Sequence, residues 1–174
     1  MEYVFTLKYQ LAPEDSDHNV LVERLAQAGC DDATIGVGLP GRIALAFTRD
    51  SATAWEAIYT ALQNVKEAVP SARLVEAAPD FVGLTDVADM TGMSRQNMRK
   101  LMLIHADDFP QPVHEGSPSL WHLSDILAWL VGRDGYSISA ALLETARSAR
   151  QVNLAKEARA LDTQIDRQLE ALVG

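Results

Sequence analysis

The 174-residue chain holds a single cysteine, Cys30. That excludes an intramolecular disulfide framework and fits a reducing cytosol. Taken alone, Cys30 reads as a small packed thiol in the turn-like segment Gly29-Cys30-Asp31-Asp32. Long apolar runs are also missing. No stretch approaches the roughly 18 consecutive apolar residues that a spanning helix needs, so no membrane association is expected. The N-terminus, MEYVFTLKYQ, has no basic segment followed by an apolar run and a small-residue cleavage site. No secretory signal is therefore expected, and a cytoplasmic location is. Positive charge is scarce: 15 Lys and Arg stand against 24 Asp and Glu, a net charge of −9. Such a balance opposes broad attraction to nucleic acid, because phosphate contacts call for Lys and Arg. The remaining composition, 48% hydrophobic and 22% charged, is that of a globular chain able to bury a core in one or two small domains.

The charge deficit is uneven along the chain. Residues 1–80 hold 12 acids and 6 bases, residues 81–135 hold 7 and 4, and residues 136–174 hold 5 of each. Three of the four bases in the middle segment, Arg95, Arg99 and Lys100, fall within six residues. A local basic face on an acidic protein can suffice for specific binding, with weak and salt-sensitive non-specific affinity.

The first 78 residues read as an α+β domain. Tyr3, Phe5, Leu7 and Tyr9 alternate with Val4, Thr6, Lys8 and Gln10, the period-2 pattern of a strand. A polar break at residues 12–17 leads to a helix from His18 to Ala28, stopped by Gly29. Ala33 to Gly38 and Arg42 to Thr48 form two strands around the turn Leu39-Pro40-Gly41. Their second face carries Ala44 and Ala46, small residues that invite close packing. Thr53-Ala54-Trp55-Glu56 reads as a capping box opening a helix to Val69, with Trp55, Ile58, Leu62 and Val65 as its expected apolar face. Pro70 ends it, and Ala72 to Ala77 gives a fourth strand. The order βαββαβ predicts a ferredoxin-like sheet with both helices on one face. This domain is expected to serve dimerisation or sensing, since the fold itself names no function. Gly36, Gly38 and Gly41 form a glycine hairpin rather than a phosphate loop, because no helix follows to present its N-terminus.

Ala78-Pro79-Asp80-Phe81 reads as a short boundary, and residues 81–132 as a second domain. Thr85 is placed to cap a helix whose inward residues are Val87, Ala88 and Met90. Thr91-Gly92-Met93 makes a sharp turn, and Ser94 caps a second helix with Met98, Leu101 and Met102 inward. Arg95, Gln96, Asn97, Arg99 and Lys100 stay on the outward side. Phe109-Pro110-Gln111-Pro112-Val113 and His114 to Ser119 follow as a Pro-rich hairpin, and Trp121 to Leu130 as a closing helix that Ser124 would cap.

This combination resembles the excisionase/MerR-like winged helix-turn-helix group. The match rests on Leu84-Thr85-Asp86-Val87-Ala88, the turn Gly92-Met93-Ser94, Arg95 heading the second helix, the hairpin, and the closing Trp121–Leu130. The resemblance implies double-stranded DNA as partner, with the second helix in the major groove and the hairpin reaching the backbone or an adjacent minor groove. The hairpin departs from that pattern: it has no Lys or Arg and carries Glu115. Residues at the start of a recognition helix point most directly at base edges. Arg95, Gln96, Asn97 and Arg99 are therefore the expected base-reading set, Arg suiting guanine and Gln or Asn suiting adenine. Thr85, Ser94, Lys100, Ser117 and Ser119 are the expected phosphate contacts, which position without specifying.

Other chemistries find little support. His105, His114 and His122 lack paired i, i+4 spacing and Cys30 lies in another domain, so no metal and no cofactor is expected. No nucleophile–base pair sits in a supporting motif, so no catalytic residue is named and an enzyme is not expected. Asp31-Asp32 and Asp107-Asp108 read as turn and loop carboxylates.

Gly132-Arg133-Asp134-Gly135 breaks the chain again. Residues 137–173, without interior Gly or Pro, read as one long C-terminal helix or a helix pair. Leu154, Ala158, Leu161, Ile165 and Leu172 form a candidate seam for oligomerisation. The expected whole is a cytoplasmic, sequence-specific DNA-binding transcriptional regulator acting as a homodimer. Two other readings remain open: a protein-interaction module, antitoxin or adaptor, gripping a partner through its acidic N-terminal domain, and a ligand-sensing regulator.

Overall fold

The computed structural model describes residues 1–173 and has an α+β architecture. Four strands, β1 (Glu2–Gln10), β2 (Ala33–Val37), β3 (Arg42–Asp50) and β4 (Arg73–Ala78), form one antiparallel sheet in the order β2-β3-β1-β4. With helices α1 (His18–Gln27) and α2 (Ala54–Ala68) inserted after β1 and β3, this is the ferredoxin-like βαββαβ order expected from the sequence. The alternation of β1 sets its face: Tyr3, Phe5, Leu7 and Tyr9 are buried, while Val4 and Lys8 point to solvent. Ile43, Leu45 and Phe47 of β3 face the same way, and Phe5 stacks on Phe47 at 5.1 Å. Asp17 caps α1, and Gly29 ends it with a φ of 92°, a conformation that glycine adopts without a Cβ clash.

Helix α2 turns Ile58 and Val65 inward, with Leu62 half-buried, as its sequence suggests, but not Trp55. Ala54, Ala57, Ile58, Ala61, Val65 and Ala68 are buried, while Trp55 and Tyr59 are about half exposed and stack on each other. The alanines let the helix approach a sheet already filled by Tyr3, Phe5 and Phe47, so close packing displaces the aromatics outward.

A second, smaller core lies beyond β4. Strand β5 (Phe81–Val82) pairs with β6 (Trp121–His122), and helices α3 (Leu84–Thr91), α4 (Arg95–Ile104) and α5 (Leu123–Val131) pack around Val87, Met98, Leu123, Ile126 and Leu127. Helix α6 (Ala140–Ala158) joins the two cores. Its Ala149 and Val152 belong to the sheet's core and its Ala146 to the second one. The buried face of α6 is Thr145, Ala146, Ala149, Val152 and Asn153, while Leu154, the first residue of the candidate oligomerisation seam, is exposed. Small residues again decide the packing face, because α6 lies against both the sheet and α2. Helix α7 (Thr163–Val173) follows, and the C-terminal segment is thus a helix pair. Among the described residues no helix is long and apolar enough to cross a membrane.

The boundary between the cores is a buried polar clasp rather than an open linker. Asp80 is fully buried; its carboxylate lies 2.6 Å from His122 Nδ1 and accepts a bond from Asn153 Nδ2 at 2.8 Å. Asn153 also bonds both backbone groups of Ala77, and Leu123 N donates to the Asp80 carbonyl. Strand β4, the boundary, β6 and α6 are thereby tied at one point. Both Asp80 carboxylate oxygens and both ends of the Asn153 amide have a partner, as buried polar groups require.

Candidate nucleic-acid interface

The segment from α3 to α5 owes its shape to a few local devices. Gly83 is the N-cap of α3, and the Asp86 carboxylate accepts its N–H at 2.8 Å. Thr85, expected to cap, instead sits exposed one residue inside the helix. Val87 and Ala88 point inward, and Gly92 reverses the chain at a φ of 70°. Met93 N closes the turn onto the Ala88 carbonyl. The Ser94 hydroxyl then accepts the Asn97 N–H at 3.1 Å, the cap that the sequence predicts. Met98 is the fully buried anchor of α4, with Leu101 and Met102 half-buried beside it. Seating that stripe forces Arg95, Gln96, Asn97, Arg99 and Lys100 to the outside, where all five are exposed.

The Pro-rich segment supplies the other wall. Val113, His114 and Leu120 bond across a short hairpin whose tip is Gly116-Ser117-Pro118. Its base is fixed by the Trp121 Nε1 bond to the Pro110 carbonyl and by Phe109, wedged edge-on between Trp121 and Trp129. Both tryptophans thus serve the core. Ser124 does not cap α5; it is buried and accepts a bond from Arg150, and the N-cap position belongs to His122. The reason is the clasp, which draws His122 inward and starts the helix two residues earlier than a Ser124 cap would.

Between α4 and the hairpin lies a groove of about 540 Å³. Gly83, Leu84 and Thr85 line it from α3, Arg95, Arg99 and Met102 from α4, and residues 116–119 with Trp121 from the hairpin. Arg95 and Arg99, one turn apart, share the face of α4 that looks into it. The groove therefore gathers five of the nine residues singled out from the sequence: Thr85, Arg95, Arg99, Ser117 and Ser119. Ser94, Gln96, Asn97 and Lys100 lie outside its lining. Gly83, Leu84 and Met102 also line it and were not anticipated; nothing in their residue types marks them, since they contribute shape rather than polarity.

The electrostatics of the groove follow from what its cations do not touch. Among the described residues no carboxylate pairs with Arg95, Arg99 or Lys100, whereas Arg24, Arg49, Arg133 and Arg150 each hold one. Unpaired guanidinium groups facing hydroxyls across a groove are suited to a polyanion, giving bidentate bonds to phosphate oxygens or to guanine. The Ser94 hydroxyl accepts from the backbone and keeps its proton for donation, while Ser119 spends its own on the Gly116 carbonyl at 3.0 Å. No group of three His, Cys, Asp or Glu side chains converges among the described residues as a metal site would need.

Residues 80–133 match a family described as "Prophage CP4-57 regulatory protein (AlpA)". The match spans α3, α4, the hairpin and α5, and covers a little under a third of the chain. The central segment is thus similar to an excisionase-like family of DNA-binding helix-turn-helix regulators. No curated protein and no solved structure matches the chain.

Proposed function

We propose that this protein is a sequence-specific DNA-binding transcriptional regulator that lays the first turns of α4 in the major groove. The observation that carries this reading is the pair Arg95 and Arg99, unpaired and exposed, facing the hairpin hydroxyls within the segment that resembles a DNA-binding regulator. Arg95, Gln96, Asn97 and Arg99 occupy the helix end from which base edges are read. Thr85, Ser94, Ser117 and Lys100 surround it as phosphate donors, with Ser119 a weaker one because its hydroxyl is already engaged. The hairpin, lacking any base, shapes the groove more than it grips the backbone. Residues 81–135 carry 7 acids against 4 bases, so affinity rests on few phosphate contacts and is weak at physiological salt. No reaction is assigned: the groove holds cations and hydroxyls without a base to activate them.

The test is selection of duplexes from a random pool at low salt, followed by mobility shift on the enriched site. An enriched motif is expected. On that site Arg95→Ala should cost about 1–3 kcal/mol and relax selection at one position, whereas Lys100→Ala should weaken all duplexes alike. Absence of any enriched sequence, or equal losses from Arg95→Ala on specific and random duplexes, would refute the proposal.

A further inference from the structure

Helix α7 ends the chain without a packing partner of its own. Every described side chain from Arg159 to Val173 is exposed, including Leu161, Ile165, Leu169 and Leu172. Eleven residues is shorter than the roughly 12–15 that an isolated helix needs to be stable in water, so the helix calls for a surface to lie on. Ile165, Leu169, Leu172 and Val173 share one side of it. Asp162, Asp166 and Glu170, spaced by four, run along one edge of that apolar side, and the single base, Arg167, falls on the back.

The complementary surface is at the far end of the sheet body. A groove of about 830 Å³ lies between the C-terminal half of α2, the start of β4 and the last turn of α6. Its floor is apolar, with Tyr9, Leu62, Val65, Val69, Ala72 and Leu74. Four bases, Lys66, Arg73, Lys156 and Arg159, stand around that floor, on a chain whose net charge is −9. Among the described residues Arg73 and Arg159 have no carboxylate partner. Acidic edge and apolar face on one side, basic rim and apolar floor on the other, are matched in both sign and character.

The occupant cannot be the chain's own α7 as it stands, since that helix lies free of the groove with its whole apolar side in solvent. Asp162 fixes its start, accepting the N–H groups of Gln164 and Ile165. That start lies two residues beyond Ala160, which itself lines the groove, so α7 leaves from the groove's own mouth. We propose that two copies of this chain exchange α7 reciprocally, each helix seated in the basic-rimmed groove of its partner, to give a closed dimer. The inference does not depend on DNA binding and is measured without DNA, so either can fail while the other stands.

The experiment uses the full chain in sedimentation velocity over a concentration series. The wild type is expected to be a dimer, and Leu169→Asp to raise its dissociation constant by more than about tenfold through the lost apolar contact. Two charge reversals then separate the possible occupants: Lys66→Glu with Arg73→Glu in one chain, and Asp166→Lys with Glu170→Lys in another. All four positions are exposed, so the fold tolerates both sets. Each variant alone is expected to be monomeric, and an equal mixture of the two to form a heterodimer, since both exchanged helices then meet a groove of opposite sign. A wild type that stays monomeric, a dimer indifferent to both reversals, or two monomeric variants that ignore each other on mixing would overturn the proposal. The last result would point instead to α7 folding onto its own chain.

Discussion

In the sheet body an arginine is folded inward, and in the helix-turn-helix segment the arginines are left outside. Arg49 is almost fully buried and spends every donor: both Asp32 carboxylate oxygens, the Thr60 hydroxyl, the Asn64 side chain and the Gly29 carbonyl all accept from it. Its guanidinium also lies 5.0 Å from the Phe47 ring centre. Arg95 and Arg99 have no such partners among the described residues and line an open groove. The same side chain thus does two jobs. Where its hydrogen bonds are satisfied within the chain it fixes structure, and where they are unspent it is available to a ligand. The acidic body and the locally basic α4 are two outcomes of that division, which is why the net charge of the whole chain says little about either.

The sharpest way to break this comparison is to remove one arginine from each region. Arg49→Ala leaves Asp32, Asn64 and the Gly29 carbonyl without their partner and should lower unfolding free energy by about 3 kcal/mol. Arg99→Ala touches no internal partner and should stay within about 0.5 kcal/mol of the parent. Urea denaturation reads both. Equal effects at the two sites would mean that the inward arginine is ornamental or that the outward one has structural bonds.

Alkaline pH probes the body through other groups, with an expected effect of about 2 kcal/mol. Burial pushes the Cys30 thiol up to about 11, against the opposing pull of Arg49, and the Asp32 and Asp31 carboxylates add to the rise. Burial likewise holds the Tyr9 phenol above its ordinary value, with Cys30 adding to it. A raised value means that the folded protein keeps a proton that the unfolded chain has released. The Cys30 contribution is therefore complete below about pH 9 and is lost as pH rises towards 11. Denaturation midpoints at pH 8 and 10.5 should fall accordingly, and Cys30→Ala should flatten the slope in part. An unchanged slope in that variant would assign the effect elsewhere.

How much of this could be seen in the sequence also differs between the two regions. The strand faces, the βαββαβ order, the Gly29 stop and the Ser94 cap were all legible, because period, turn chemistry and capping are local signals. What was hidden depended on contacts distant in the chain. Asp32 reads as a turn carboxylate until Arg49 arrives from β3, and Asp80 as a linker residue until His122 and Asn153 close on it. The outward turn of Trp55 on α2 and the small buried face of α6 share one reason. Large residues draw the eye, whereas alanines such as Ala57, Ala61 and Ala149 decide where a helix can come close. In the candidate interface the polar residues were identifiable by type, and only the groove shows that Arg95 and Arg99 share a face with Thr85 and Ser117.

Two glycines carry the comparison to its smallest expected effect. Gly29 and Gly92 each end a helix at positive φ, 92° and 70°, so alanine is strained at both, by about 1 kcal/mol. Their surroundings differ. A Cβ at Gly92 meets nothing within 4 Å, so Gly92→Ala should lose the backbone term alone. A Cβ at Gly29 comes within 3.3 Å of Asn64 Nδ2, and Asn64 is held by Arg49 Nη1 through its other side-chain atom. Gly29→Ala should therefore cost a few tenths of a kcal/mol more, because the amide must give way inside a network that has no spare bond. Thermal unfolding of the two variants side by side measures the difference. A Gly29→Ala cost equal to that of Gly92→Ala would mean that Asn64 swings aside freely, and the buried arginine would then be held less tightly than its distances imply.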